Sequence, residues 1–139
     1  MPQIKRIIET ALYVDDLECA KAFYSQHLHL HLQTMVESSV LVAFNVGQQN
    51  TLLLFKRGAS VHTKYLSGGE IPPHHASGRI HICFAINAED LPTWETRLGA
   101  ANIAIEGHTH WPKGGSSVYF RDPDANLVEL LTPGCWSIY

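Results

Sequence analysis

The feature that most narrows what this chain can fold into is an internal repeat with a period near 73 residues. The run Glu9-Thr-Ala-Leu-Tyr-Val14, followed by Asp16-Leu17, lines up with His81-Ile-Cys-Phe-Ala-Ile86, followed by Asp90-Leu91. The offsets are 72 and 74 residues. Each copy has an apolar strand-like run, an Asp-Leu step into a helical stretch, and then β-type runs that end in Leu52 to Phe55 or in Leu127 to Leu131. Repetition of that order makes two βαβββ modules.

The expected class is α+β, with the modules forming a curved mixed sheet around a cleft and the helices outside. A single domain over 1–139 divides into module 1 at about 4–57, a linker over 58–77 and module 2 at about 78–133. In module 1 the patterning predicts a strand over 7–14, a helix over about 16–28, and strands near 30–36, 39–46 and 51–56. Leu17, Ala20, Phe23 and Tyr24 fall on one helical stripe, and Asp15 or Asp16 can cap its start. Module 2 repeats the order with a strand over 79–86, a helix over about 89–99 ending near Gly99, and strands near 103–108, 116–121 and 127–132. The sequence Asp122-Pro-Asp-Ala-Asn126 makes a turn between the last two. Gly58, Gly68, Gly69, Pro72, Pro73 and Gly78 predict irregular structure for the linker.

A chain of 139 residues with 45% hydrophobic content can build a core without disulfides or a structural metal. Ten Lys and Arg against 13 Asp and Glu, with no basic run, leave no electrostatic footprint for nucleic acid. Apolar runs such as Leu52 to Phe55 are far short of the roughly 18 residues of a membrane span. No signal-peptide core precedes Glu9, so the cytoplasm is the expected compartment. Cys19, Cys83 and Cys135 have no C-x-x-C spacing and read as reduced thiols, Cys83 as core or cavity lining. The nine histidines are numerous, but His27, His29, His31, His74 and His75 lie where an ordinary surface would carry them.

Period-two alternation puts Ile80, Ile82, Phe84 and Ile86 on one face of their strand, toward the helix, and Arg79, His81, Cys83 and Ala85 on the other. The same logic turns Ile8, Thr10, Leu12 and Val14 to the helix and leaves Glu9, Ala11 and Tyr13 facing away. Glu9 and His81 thus hold equivalent places in the two copies. Glu129 is a carboxylate among apolar strand neighbours, and burying it unpaired would cost several kcal/mol, so it needs a partner. That partner is a metal or, on an exposed face, a cation such as Arg121.

Together these segments resemble the vicinal oxygen chelate superfamily, which holds glyoxalase I, the fosfomycin-resistance thiol transferases, extradiol dioxygenases and the metal-free bleomycin-binding proteins. The resemblance rests on Ala11-Leu-Tyr-Val-Asp-Asp-Leu17, on Ala22-Phe-Tyr24, on Gly78-Arg-Ile-His81-Ile-Cys-Phe84, and on Val118-Tyr-Phe-Arg-Asp-Pro-Asp-Ala-Asn-Leu-Val-Glu129-Leu130. It covers nearly the whole chain, and the final stretch is its most specific part.

The family's ligand positions fall here on Glu9, Leu54, His81 and Glu129. Glu9 stands where His or Gln is common, and Leu54 where glyoxalase I has a ligating Glu. The resemblance therefore implies a three-ligand site of Glu9, His81 and Glu129 holding one divalent ion, Mn, Fe, Ni, Co or Zn. Such a site chelates neighbouring oxygens of a small substrate, with Glu129 or Glu9 able to move a proton. Glyoxalase-like lyase or isomerase, thiol transferase or dioxygenase chemistry all need that arrangement. The loop Lys113-Gly-Gly-Ser-Ser117 lacks the acidic character found in some of the thiol transferases and looks more like a glyoxalase loop. A metal-free binding protein is the alternative, using Trp111, Tyr119, Trp94 and Trp136 to stack on a flat ligand, although Trp94 also reads as core. A homodimer is expected, because each module leaves strand edges and an open face to cover. In the superfamily such pairing brings Glu9 of one chain to His81 and Glu129 of its partner.

Overall fold

The computed structural model describes residues 1–33 and 38–139, which form two compact units, Met1–Ser77 and Gly78–Tyr139. The strand expected near 30–36 runs into positions outside the described residues; its described part is the short β2, His31–Leu32.

The first unit runs β1 (Glu9–Val14), α1 (Leu17–Ala22) with a π-helical turn over Phe23–His27, β2, β3 (Leu41–Val46) and β4 (Asn50–Lys56). Its sheet has the order β1-β4-β3-β2. β1 and β4 are parallel, and the remaining pairs are antiparallel. Asp16 caps α1 by accepting from the Cys19 amide at 2.9 Å. The stripe of Leu17, Ala20, Phe23 and Tyr24 is buried and faces Leu12, Val14, Phe44, Leu52 and Leu54, with α1 packed on β4 and β3. Truncating Leu54, which is fully buried, to Ala would cost about 2–5 kcal/mol. Ile8, expected on the helix face, lies before β1 and is exposed.

The connecting segment is not irregular throughout. It contains a hairpin of β5 (Lys64–Leu66) and β6 (Gly69–Ile71), with Ser67-Gly68 as its two-residue loop. A two-residue loop followed by a positive-φ glycine, Gly69 at +149°, allows a tight reversal that an inventory of turn-formers reads simply as loop.

The second unit runs β7 (His81–Ala85), a 3-10 turn over Ala88–Asp90, α2 (Leu91–Ala100), β8 (Gly107–His110), β9 (Ser116–Arg121) and β10 (Leu127–Leu131). Its sheet order, β7-β10-β9-β8, repeats that of the first unit, again with one parallel pair. The fold is therefore α+β, built from two βαβββ modules. α2 ends one residue past Gly99, and Asn102 rather than the glycine takes the positive φ, +56°, that lets the chain leave the helix. Trp94 is only half-buried, its ring lying under the Arg97 guanidinium at 5.1 Å, so it is not a core residue. The most buried residues of this unit's core are Leu98, Val118, Phe120, Val128 and Leu130. Among the described residues, no helix is long and apolar enough to cross a membrane.

Candidate metal and substrate site

Glu129 is 6% exposed, and its sheet neighbours provide partners for the carboxylate. Ser117 on β9 donates a short hydrogen bond to Oε1, and the Trp111 indole N–H donates to the Ser117 hydroxyl at 2.8 Å. Oε2 lies 3.1 Å from His81 Nε2. The other imidazole nitrogen, Nδ1, sits 3.1 Å from the Leu127 carbonyl oxygen. A carbonyl only accepts, so Nδ1 carries a proton; Nε2 faces the Glu129 carboxylate, and without an ion a second proton lies between Nε2 and Oε2, which a bound ion would replace. His81 itself remains half exposed. The expected alternative, an ion pair of Glu129 with Arg121, does not occur: Arg121 is bound by Glu106 at 2.9 Å. β8 and its approach bring Glu106 alongside Arg121, with the Glu106 amide bonded to Tyr119 on β9.

Cys83 pairs with Glu129 across the parallel strands. It is not a core residue, since it keeps an exposed face, but its thiol is pushed up to about 12. Desolvation is the main cause, followed by the negative charge of Glu129 and the hydrogen bond the thiol gives that carboxylate. The thiol stays protonated at neutral pH and is not a ready nucleophile.

In the first unit Glu9 opens β1, exposed and facing away from the helix side. It lines a cavity of about 560 Å³. Ala11, Tyr13, Leu53 and Phe55 form the part contributed by the parallel strands, and the connecting segment from Ala59 to His74 adds the opposite wall. That segment is latched down. The Tyr13 hydroxyl and His74 Nδ1 are 2.6 Å apart, and the His74 ring stands edge-on to Phe55 at 4.6 Å. Arg57 donates to the carbonyls of Tyr13 and Ala76 and to the Asp15 carboxylate, at 3.0, 2.9 and 2.7 Å. His74, expected on an ordinary surface, is part of this wall; its partner is 61 residues away in sequence, and no local pattern signals that contact.

Register corrects one ligand assignment. Leu54 faces the helix and is wholly buried, so the residue that matches Glu129 in the first module is Leu53, which lies opposite Ala11 as Glu129 lies opposite Cys83. Neither leucine offers a donor atom. Of the aromatic residues considered for stacking, Trp111 spends its N–H on Ser117, Tyr119 stands 6.5 Å from the His81 ring, and Trp136 is exposed in the tail.

The model of the Glyoxalase/Bleomycin resistance protein/Dioxygenase superfamily matches residues 6–130. This chain belongs to that superfamily. A lactoylglutathione lyase from Agrobacterium tumefaciens is similar at 36% identity and a TM-score of 0.87, over 99% of this chain and 100% of that one. A glyoxalase/dioxygenase from Nostoc punctiforme shares the fold, with 22% identity and a TM-score of 0.69 over 92% and 90% of the two chains. The metallothiol transferase FosB of Bacillus licheniformis is 40% identical over 53 residues, a match spanning 37% of this chain and 34% of that protein.

The donor set of this superfamily member fits a divalent ion. One imidazole nitrogen and one carboxylate oxygen converge, and each is held from behind by a hydrogen bond to its second polar atom, which is how metal-binding His and Glu side chains are oriented. Glu9, an exposed carboxylate, belongs to the first unit. Among the described residues of a single chain, no three His, Cys, Asp or Glu side chains gather into one metal-holding group.

Proposed function

We propose that this chain is a metal-dependent enzyme of glyoxalase-like lyase or isomerase type, acting on a small substrate with two neighbouring oxygens, and that it works as a homodimer. The observation that carries this reading is the His81–Glu129 pair, converging at 3.1 Å with both side chains oriented from behind. Similarity over the full length to a lactoylglutathione lyase supports the reaction type. Glu9, His81 and Glu129 would hold the ion. When bound, it would supply Lewis-acid stabilisation of negative charge developing on a substrate oxygen.

The chain's own residues then have distinct tasks. The Leu127 carbonyl keeps the His81 proton on Nδ1, leaving Nε2 free to act as a donor atom. Ser117 holds one oxygen of Glu129 and leaves the other facing His81. Glu9 is the exposed carboxylate, able to take a proton from the hydroxyl-bearing carbon beside a carbonyl and return it to the former carbonyl carbon, while the hydroxyl proton passes to the former carbonyl oxygen, an isomerisation with no net loss of atoms or electrons. Pairing of two chains would bring Glu9 of one to His81 and Glu129 of its partner.

Calorimetric titration of Mn²⁺, Ni²⁺ and Zn²⁺ into the wild type, Glu9→Ala, His81→Ala and Glu129→Ala tests the ligand set. Binding to the wild type should release protons and weaken as the pH falls, and each variant should lose affinity sharply. Wash-in of solvent deuterium beside the carbonyl of hemithioacetal and α-hydroxyketone substrates tests the reaction. An epoxide offered with a thiol belongs in the same screen because of the partial similarity to FosB. A wild type that binds no divalent ion would replace this reading with that of a metal-free binding protein.

A further inference from the structure

The two modules repeat one topology but differ in what lies on the face away from the helix. In the second, the parallel pair carries His81, Cys83 and Glu129 there. In the first, the corresponding positions are Glu9, Ala11 and Leu53, and the connecting segment lines with them an open cavity of about 560 Å³. The wall comes from residues between the modules, latched through Tyr13–His74 and Arg57. A segment fastened at several points to form one wall of a cavity is built for more than spanning the distance between modules.

We propose that this cavity binds the non-reacting part of the substrate, and that this part is an organic acid: a short apolar or aromatic body ending in a carboxylate. The proposal rests on the enzyme reading above and adds the substrate class. The floor, Ala11, Leu53 and Phe55, offers no side-chain hydrogen bond, so it suits hydrocarbon and would leave the amides of a peptide-like ligand without partners. The wall is rich in donors. Lys64 brings a positive charge, and the hydrogen bond between the Tyr13 hydroxyl and His74 Nδ1, 2.6 Å apart, holds a second polar group in the wall. Among the described lining residues, Glu9 is the one carboxylate. It lies four residues before Tyr13 on the same strand face, roughly 13 Å away at the rise of an extended strand. Repulsion therefore turns a ligand's carboxylate toward the Tyr13–His74 end and its oxygen-bearing head toward Glu9, the proposed metal ligand.

The test uses the metal-free full chain and 3-phenylpropanoate as probe, followed by ligand-observed NMR titration. Three comparison compounds are 3-phenylpropan-1-ol, which keeps the body without the charge, propanoate, which keeps the charge without the body, and S-methylglutathione, a peptide-like thioether. The expected result is that 3-phenylpropanoate binds about tenfold more tightly than each of the three, and that Lys64→Ala and Tyr13→Phe each weaken it by about fivefold or more. Lys64 is exposed, so its variant should fold; melting curves of both variants confirm that the comparison is between folded proteins. Equal binding of acid and alcohol, wild-type affinity in both variants, or tighter binding of S-methylglutathione would overturn the proposal. Failure of the wild type to bind a divalent ion would remove the enzyme reading while leaving these affinities to be judged separately.

Discussion

Leu53 and Glu129 hold the same register position in their modules: Leu53 is opposite Ala11, two residues beyond Glu9, and Glu129 is opposite Cys83, two residues beyond His81. Because Glu129 reaches to within 3.1 Å of His81, a carboxylate at position 53 would be within reach of the side chain at position 9. The first module has instead an apolar floor at that point. One substitution separates a cavity from a second half of a metal site.

Leu53→Glu should therefore tighten divalent-ion binding, by about tenfold, and abolish binding of 3-phenylpropanoate. Without metal, the added charge beside Glu9 and over an apolar floor should lower the melting temperature, and metal should restore it by binding only the folded form. Calorimetry and melting curves with and without Mn²⁺ measure both effects. Unchanged metal affinity in a folded Leu53→Glu protein would show that the two modules' ligand positions are not equivalent.

Ser117→Ala should reduce divalent-ion affinity by about ten- to a hundredfold, as is usual when the group behind a metal ligand is removed. Ser117 is 1% exposed, and the change also strands the Trp111 N–H and one oxygen of Glu129, for a stability loss of about 2 kcal/mol. Ser117→Thr keeps the hydroxyl and should recover most of the affinity. Absorption spectra of the Co²⁺-loaded proteins distinguish altered ligand geometry from simple loss of stability.

How much of this was legible in the sequence depended on whether a strand carries a polar residue on one face. Glu129 among aliphatic neighbours and His81 in strict alternation reveal which side of β10 and β7 faces the site. In β4 the run Leu52-Leu53-Leu54-Phe55 is apolar on both faces, so alternation gives no parity, and only pairing with β1 shows that Leu53 rather than Leu54 faces away from the helix. The repeat was readable because both copies keep one pattern. The β5–β6 hairpin, Tyr13–His74 and Arg121–Glu106 were not, since they depend on a turn geometry and on contacts between segments that no periodicity links.

Light scattering at micromolar concentration should give the mass of a dimer. The sheet edges at β1 and β2 in one unit and at β7 and β8 in the other have one paired side each, and Ile4, Ile7, Trp136 and Ile138 are exposed. A monomer would leave Glu9 without the proposed route to a partner's His81 and Glu129.

The spacing of His81 and Glu129 depends on a clamp at the start of their strands, and breaking it should be measurable. Asn126, 1% exposed, accepts from the Ile80 amide at 3.0 Å and donates to Asp122 at 3.0 Å, while its own amide donates to Asp122 at 2.8 Å. The Leu127 amide, next in the chain, donates to the Ile80 carbonyl, so the residue before His81 is held at both backbone atoms by the turn that leads into β10. Asn126→Ala removes the acceptor for Ile80 and one donor to Asp122, for a loss of about 2 kcal/mol and about 6 °C in melting temperature. Asn126→Asp keeps an acceptor for Ile80 but sets a second carboxylate against Asp122, and at neutral pH it should be at least as destabilising. With β7 released at its start, the divalent-ion affinity of Asn126→Ala should fall too, though by less than that of Ser117→Ala, because the contacts of Glu129 itself remain. Urea unfolding followed by fluorescence, together with metal titration of both variants, measures these effects; wild-type stability in Asn126→Ala would mean that the β-ladder alone sets the position of His81.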